Sequence, residues 1–175
     1  MQIKSQKLGK GDALRLSRFY GAMTSLEAII SALSAEGVDV GTATAAALYT
    51  RGLDCHNLGG YAQLEKIADA ILGIDAPLAD EVVLDVGCGL GGPSRFIADR
   101  FGCRVVGVDL LPVRIDAART LGEMTQSTER VDFRVADALT LPFGDAEPNV
   151  QLGLCRAHGP LVLSSVWRSA TIQGV

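Results

Sequence analysis

The chain lacks the marks of several protein classes. No run approaches 18 consecutive apolar residues, so no membrane span is expected. Met1 to Lys10 carries charge with no apolar stretch behind it, so no secretory signal is expected. There are only four cysteines, at 55, 88, 103 and 155, and their spacing matches neither a zinc pattern nor a CxxC redox pair. Scattered thiols of this kind suit a reducing compartment; the expected location is cytoplasmic and no metal site is expected. Histidine is scarce too, with two residues in 175. Basic charge does not dominate: 16 Lys and Arg against 20 Asp and Glu give a net charge of -4. Without a basic stripe, nucleic acid is not an expected partner.

What is present describes a folded, acidic domain. Hydrophobic residues make up 48% and charged residues 21%, outside the range of disordered chains. Glycine is in excess: 20 of 175 residues, about 11% against a usual share of roughly 7%. That excess asks for a place where bare backbone is required.

Apolar spacing predicts helix over residues 12–35, weakened at Gly21, then a short alanine-rich helix near 43–47 and another over 61–72. From Val82 the rhythm changes. Val82–Val86 reads as a buried strand, Pro93 opens an amphipathic helix ended by Gly102, and Cys103–Val108 reads as a second strand. A helix over 113–122 with Gly122 as its stop precedes a third strand, Val131–Val135. Strands alternating with helices predict an α/β fold with a parallel sheet.

The chemistry starts where the first strand meets Asp85-Val86-Gly87-Cys88-Gly89-Leu90-Gly91-Gly92-Pro93. Glycines allow a tight turn and close approach of a ligand to the backbone. The helix that follows offers unpaired N–H groups and a partial positive charge. Gly87, Gly89 and Gly92 formally satisfy the GxGxxG dinucleotide fingerprint, so an NAD-dependent oxidoreductase is one reading. Asp85 argues against it. A carboxylate two residues before the first glycine disfavours a pyrophosphate and suits a cationic ligand. Asp109 closes the second strand and can accept both ribose hydroxyls of any adenosine ligand. Asp137 follows the third strand. With the Ala138 N–H it can read an adenine edge, and Leu110, Ala138 and Leu139 can sandwich the ring.

Together these stretches resemble the class I S-adenosylmethionine-dependent methyltransferases. The resemblance lies in VLDVGCGLGGPSRFIA at 83–98, VVGVDL at 105–110 and VADALTLPF at 135–143, with GLDCHNLGG at 52–60 similar to the segment ahead of the core in small-molecule members. Those members include enzymes acting on sarcosine or dimethylglycine, sterols, tocopherols and quinone precursors. The resemblance implies a Rossmann-like fold, S-adenosyl-L-methionine as cofactor, S-adenosyl-L-homocysteine as product, and a small-molecule methyl acceptor. It implies that Gly87, Gly89 and the backbone around Cys88 contact the amino-acid part of the cofactor, with Asp85 orienting its ammonium. Asp109 would hold the ribose, Leu110 would pack on adenine, and Asp137 with Ala138 would read its edge. The N-terminal helices would form a lid, with Tyr49 or His56 as candidate residues at the acceptor. Methyl transfer of this type needs no protein nucleophile.

The resemblance weakens after residue 147. Pro148-Asn149 stands where the family has Phe-Asp. Residues 148–175 contain no Asp or Glu, whereas residues 1–147 contain all 20, and only 91 residues run from Asp85 to Val175. The expected organisation is an N-terminal helical cap (1–75), a partial cofactor-binding core (76–147) and an atypical tail (148–175). The second half of the sheet would be missing or replaced, as a shifted reading frame would leave it, and the first strand would then lie at an edge. A chain of this kind can also be a non-catalytic fragment.

Overall fold

The computed structural model describes residues 25–55, 60–68, 82–138, 140–141, 150–153 and 167–168. Among the described residues, four helical pieces precede the sheet: α1 (Leu26–Ala35), a 3-10 turn (Val40–Thr42), α2 (Ala45–Tyr49) and α3 (Gly60–Ile67). The helix starts are set by side-chain caps. Ser25 accepts from the Ala28 N–H at 3.3 Å, and Thr44 accepts from the Ala47 N–H at 3.2 Å. The helix expected from residue 12 onward falls partly outside the described residues; α1 is its final segment.

The core then runs β1 (Val82–Val86), α4 (Gly92–Phe101), β2 (Arg104–Asp109), α5 (Pro112–Met124), β3 (Val131–Val135), β4 (Val150–Gly153) and β5 (Trp167–Arg168). The sheet order is β3-β2-β1-β4-β5. Strands β3, β2, β1 and β4 are parallel, and β5 is antiparallel to β4. Val83 and Leu84 point to opposite faces of β1, yet both are buried. The sheet is therefore covered on both sides, as a parallel sheet requires. One apolar cluster joins Val83, Phe96, Ile97, Val105, Ile115 and Phe133. A second seats the cap on the core: Ile29, Leu33 and Leu48 pack with Leu90, Ala117 and Leu121. Fully burying each such side chain is worth about 2 kcal/mol.

Two expectations change. Gly122 does not stop α5: the helix continues to Met124, and the chain turns only at Thr125 and Gln126, whose φ is 55°. Gly122 is buried beside Phe133 and Val131 within the helix, where tertiary packing on both sides of it overrides its weak helix propensity. The first strand also does not lie at an edge. Val83 to Val86 pair in parallel register with Val150 to Gly153, so β1 is an interior strand. The apolar run after Pro148 supplies a partner for the strand edge that would otherwise stay open.

Candidate cofactor site

Parallel pairing brings the carboxyl ends of three strands together. Asp85 lies opposite Gly107 and Asp109 opposite Val135, and the Ala136 N–H donates to the Asp109 carbonyl at 3.0 Å. Asp85, Asp109 and Asp137 thus end neighbouring strands on one edge, where open α/β sheets take ligands.

The glycine loop is held by its own backbone. The Gly87 and Cys88 N–H groups both donate to the Val108 carbonyl, at 2.8 and 3.0 Å, and Gly91 donates to the Cys88 carbonyl at 2.9 Å. Those amides are committed inside the fold. What the loop offers a ligand is bare, approachable chain at Gly87, which is exposed, and Gly89, which is half-buried. Gly91 caps α4 with a left-handed φ of 77°, and a Cβ there would sit 2.4 Å from the Phe133 ring. Only glycine meets both conditions.

Asp109 anchors the loop to β2. Its Oδ2 accepts from the Gly89 N–H at 3.0 Å and its Oδ1 from the Leu111 N–H at 2.9 Å. Each carboxylate oxygen has a second lone pair, so the half-buried group retains acceptors for a pair of hydroxyls. Leu110, Val113 and Val135 leave 39%, 59% and 47% of their area exposed around this edge. Asp137 is half-buried and its carbonyl accepts from the Thr140 N–H at 2.9 Å; Ala138 is exposed beside it. Leu139 lies outside the described residues.

Asp85 is fully buried. Its Oδ2 accepts a 2.6 Å hydrogen bond from Ser94 Oγ, and its Oδ1 has no partner among the described residues. Burial pushes its pKa up to about 6; Ser94 opposes that shift and the nearby Asp109 charge adds to it. Burial, with Asp85 and Asp109, also pushes the Cys88 thiol well above its ordinary value. Cys88 is therefore a protonated packing residue and no nucleophile.

Of the acceptor candidates, Tyr49 is not brought to this edge. Tyr49 donates to Asp99 Oδ2 at 3.1 Å and packs with Tyr61 and Phe96, which places it on the flank of α4. His56 lies outside the described residues. Sequence reasoning passed over Ser94 and the buried Arg95–Asp54 ion pair, at 2.6 Å. A serine and an arginine immediately behind a glycine loop, on a helix whose neighbouring residues face inward, were the available signal.

Against known proteins, a family model described as a methyltransferase domain matches residues 83–162. The match begins in β1 and extends beyond β4. The chloroplastic tocopherol O-methyltransferase of Arabidopsis thaliana is 43% identical over 65 residues, covering 37% of this chain and 19% of that protein. Norajmaline N-methyltransferase of Rauvolfia serpentina is 36% identical over 77 residues, covering 43% of this chain and 26% of that protein. A solved geranyl diphosphate methyltransferase in complex with S-adenosylmethionine superposes with a TM-score of 0.50 at 26% identity, covering 54% of this chain and 37% of that one. The chain spans about a quarter of the length of the curated relatives it matches. The fold is a partial Rossmann-like fold of the class I methyltransferase type. Over residues 83–162 the chain is similar to methyltransferases of small molecules, and nothing in these likenesses favours a nicotinamide oxidoreductase.

Proposed function

We propose that this site takes S-adenosylmethionine and that the protein transfers the methyl group to a small molecule bearing a nucleophilic atom. The observation that carries this reading is the buried Asp85 carboxylate, one oxygen held by Ser94 and the other unpartnered, directly ahead of the glycine loop. A buried acceptor without a partner costs about 1–3 kcal/mol. An ammonium group nearby, or a water it holds, relieves that cost; a pyrophosphate does not.

The residues present fit the cofactor. Asp85 orients the ammonium, the chain at Gly87, Cys88 and Gly89 borders the amino-acid portion, and Asp109 accepts the ribose hydroxyls. Leu110 packs on adenine, and Asp137 with the Ala138 N–H reads its edge. When bound, the cofactor supplies a methyl group made electrophilic by a sulfonium. The protein's work is to align the acceptor with that group and to exclude water. The N-terminal helices, packed through Ile29, Leu33 and Leu48 against Leu90, would close the site. The relatives' names include one O- and one N-methyltransferase, so the acceptor atom varies among them.

The direct test is transfer of labelled methyl from S-adenosylmethionine to a panel of phenols, hydroquinones and amines. Labelled product, abolished by Asp109→Ala, supports the reading. No transfer to any acceptor, combined with a fluorescence response to NADH and none to S-adenosylhomocysteine, overturns it.

A further inference from the structure

We infer that Arg95 is a positioning residue that fastens the glycine loop to the segment between α2 and α3, so that the two hold their places as one unit. The side chain is 1% exposed. Its Nη2 donates to Asp54 Oδ2 at 2.6 Å and to the Leu90 carbonyl at 2.8 Å, and its Nη1 donates to the Ala118 carbonyl at 3.3 Å. The guanidinium also lies 6.0 Å from the centre of the Phe133 ring. One residue thereby ties together the pre-core segment, the glycine loop, α5 and β3.

Each side of the joint is reinforced. Tyr61, on α3, donates to the other Asp54 oxygen at 2.5 Å. The Leu90 side chain is buried in the cluster that contains the cap residues Ile29, Leu33, Ala43 and Leu48. At Gly92 a Cβ would lie 2.5 Å from the Asp54 carbonyl oxygen, so the two stretches of backbone meet directly. Leu90 is adjacent to Gly89, whose N–H is bonded to Asp109. A shift of the Leu90 carbonyl is therefore passed to the Asp109 cradle within one residue.

Stability alone does not call for this arrangement. The Arg95 Nε–H has no partner among the described residues, and a buried ion pair is often no better than apolar residues of similar volume. What the guanidinium adds is direction: its fork fixes a carboxylate and a carbonyl at set angles.

The test compares the full chain with Asp54→Asn, which keeps the shape, and with the apolar double variant Asp54→Leu/Arg95→Met. Hydrogen exchange is read at residues 52–55 and 87–91, alongside melting temperature and calorimetric affinity for S-adenosylhomocysteine. In Asp54→Asn both segments lose protection together and affinity falls about tenfold, as a small misplacement of a binding group would produce. The double variant recovers melting temperature but neither loop protection nor affinity. Loss of protection confined to 52–55 in Asp54→Asn, or full recovery of loop protection in the double variant, overturns the inference. Only the affinity arm rests on the cofactor reading. A wild-type chain that binds no S-adenosylhomocysteine defeats that reading, while the exchange arm still decides the role of Arg95.

Discussion

Replacing Gly91 by alanine tests how the glycine loop is built. Gly91 has a φ of 77°, and a side chain in that region costs about 1–2 kcal/mol. The new Cβ would also meet Phe133 Cζ at 2.4 Å, Cε1 at 2.6 Å and Arg95 Nη1 at 3.0 Å. Carbon atoms in contact sit about 3.5–4.0 Å apart, so the ring would have to withdraw by roughly 1 Å. It has little room, because Phe133 is buried and also fills the space beside Gly107, where a Cβ would meet it at 2.6 Å. Overpacking of this kind costs about 1–3 kcal/mol. The two costs sum to about 2–5 kcal/mol, a large share of the roughly 5–15 kcal/mol that holds a typical domain together. Gly37 provides the control: its φ is 73°, but a Cβ there meets nothing within 4 Å. Gly37→Ala therefore carries only the backbone cost. Urea unfolding followed by far-ultraviolet circular dichroism gives both values. Gly91→Ala should be the less stable by about 1–3 kcal/mol, and Phe133→Leu should recover part of that difference when added to it. Equal unfolding midpoints for the two alanine variants would refute the reasoning.

The remaining predictions concern the carboxylates. The folded pKa of Asp85 is raised from 3.8 to about 6, so the folded state binds a proton more tightly than the unfolded chain. Its contribution to stability is full below pH 3.8 and is lost as pH rises through about 6, a loss of about 3 kcal/mol that Asp85→Asn should remove from the stability–pH curve. Pairing with the ligand's ammonium group needs the ionised form, so S-adenosylhomocysteine affinity should weaken as pH falls below about 6 and be accompanied by proton release near that pH; calorimetry in buffers of different ionisation enthalpy measures both. Ser94→Ala removes the one hydrogen bond to that carboxylate and should destabilise the fold by about 1.5–3 kcal/mol at pH 8, with a smaller effect at pH 5, as urea unfolding at the two pH values will show. Asp109→Asn leaves one of the two backbone donors, Gly89 or Leu111, facing an amide nitrogen. It should cost about 2 kcal/mol of stability and weaken S-adenosylhomocysteine binding, read by unfolding and titration of the same sample.

The central strands and helices were legible because their signals are local. Valine-rich runs at 82–86, 103–108 and 131–135 became strands, the second shifted by one residue to Arg104–Asp109, and Gly102 ended α4 in a left-handed φ of 71°. Gly122 misled because a glycine inside a helix has the same letter as one that stops it. The run after Pro148 looked unlike the preceding units, since no strong helical spacing leads into it, yet Val150–Gly153 pairs with β1. Strand pairing depends on which edge is free, and no local pattern records that. The acids at the three strand ends were also visible, because each ends an apolar run. The setting of Asp85 was not. Its bond to Ser94 crosses from β1 to α4, and the Arg95–Asp54 pair joins residues 41 positions apart. Such partners meet only through tertiary packing, which no local pattern records.

The most direct measurement is calorimetric titration of S-adenosylhomocysteine into the wild-type chain and into Asp109→Ala. Asp109 is the one residue that both fixes the glycine loop, through the Gly89 N–H, and retains acceptors for a ribose. The account predicts saturable one-to-one binding by the wild type, undiminished by excess NADH and lost in the variant. No binding by a folded wild-type chain, or equal affinity in the two, would contradict it.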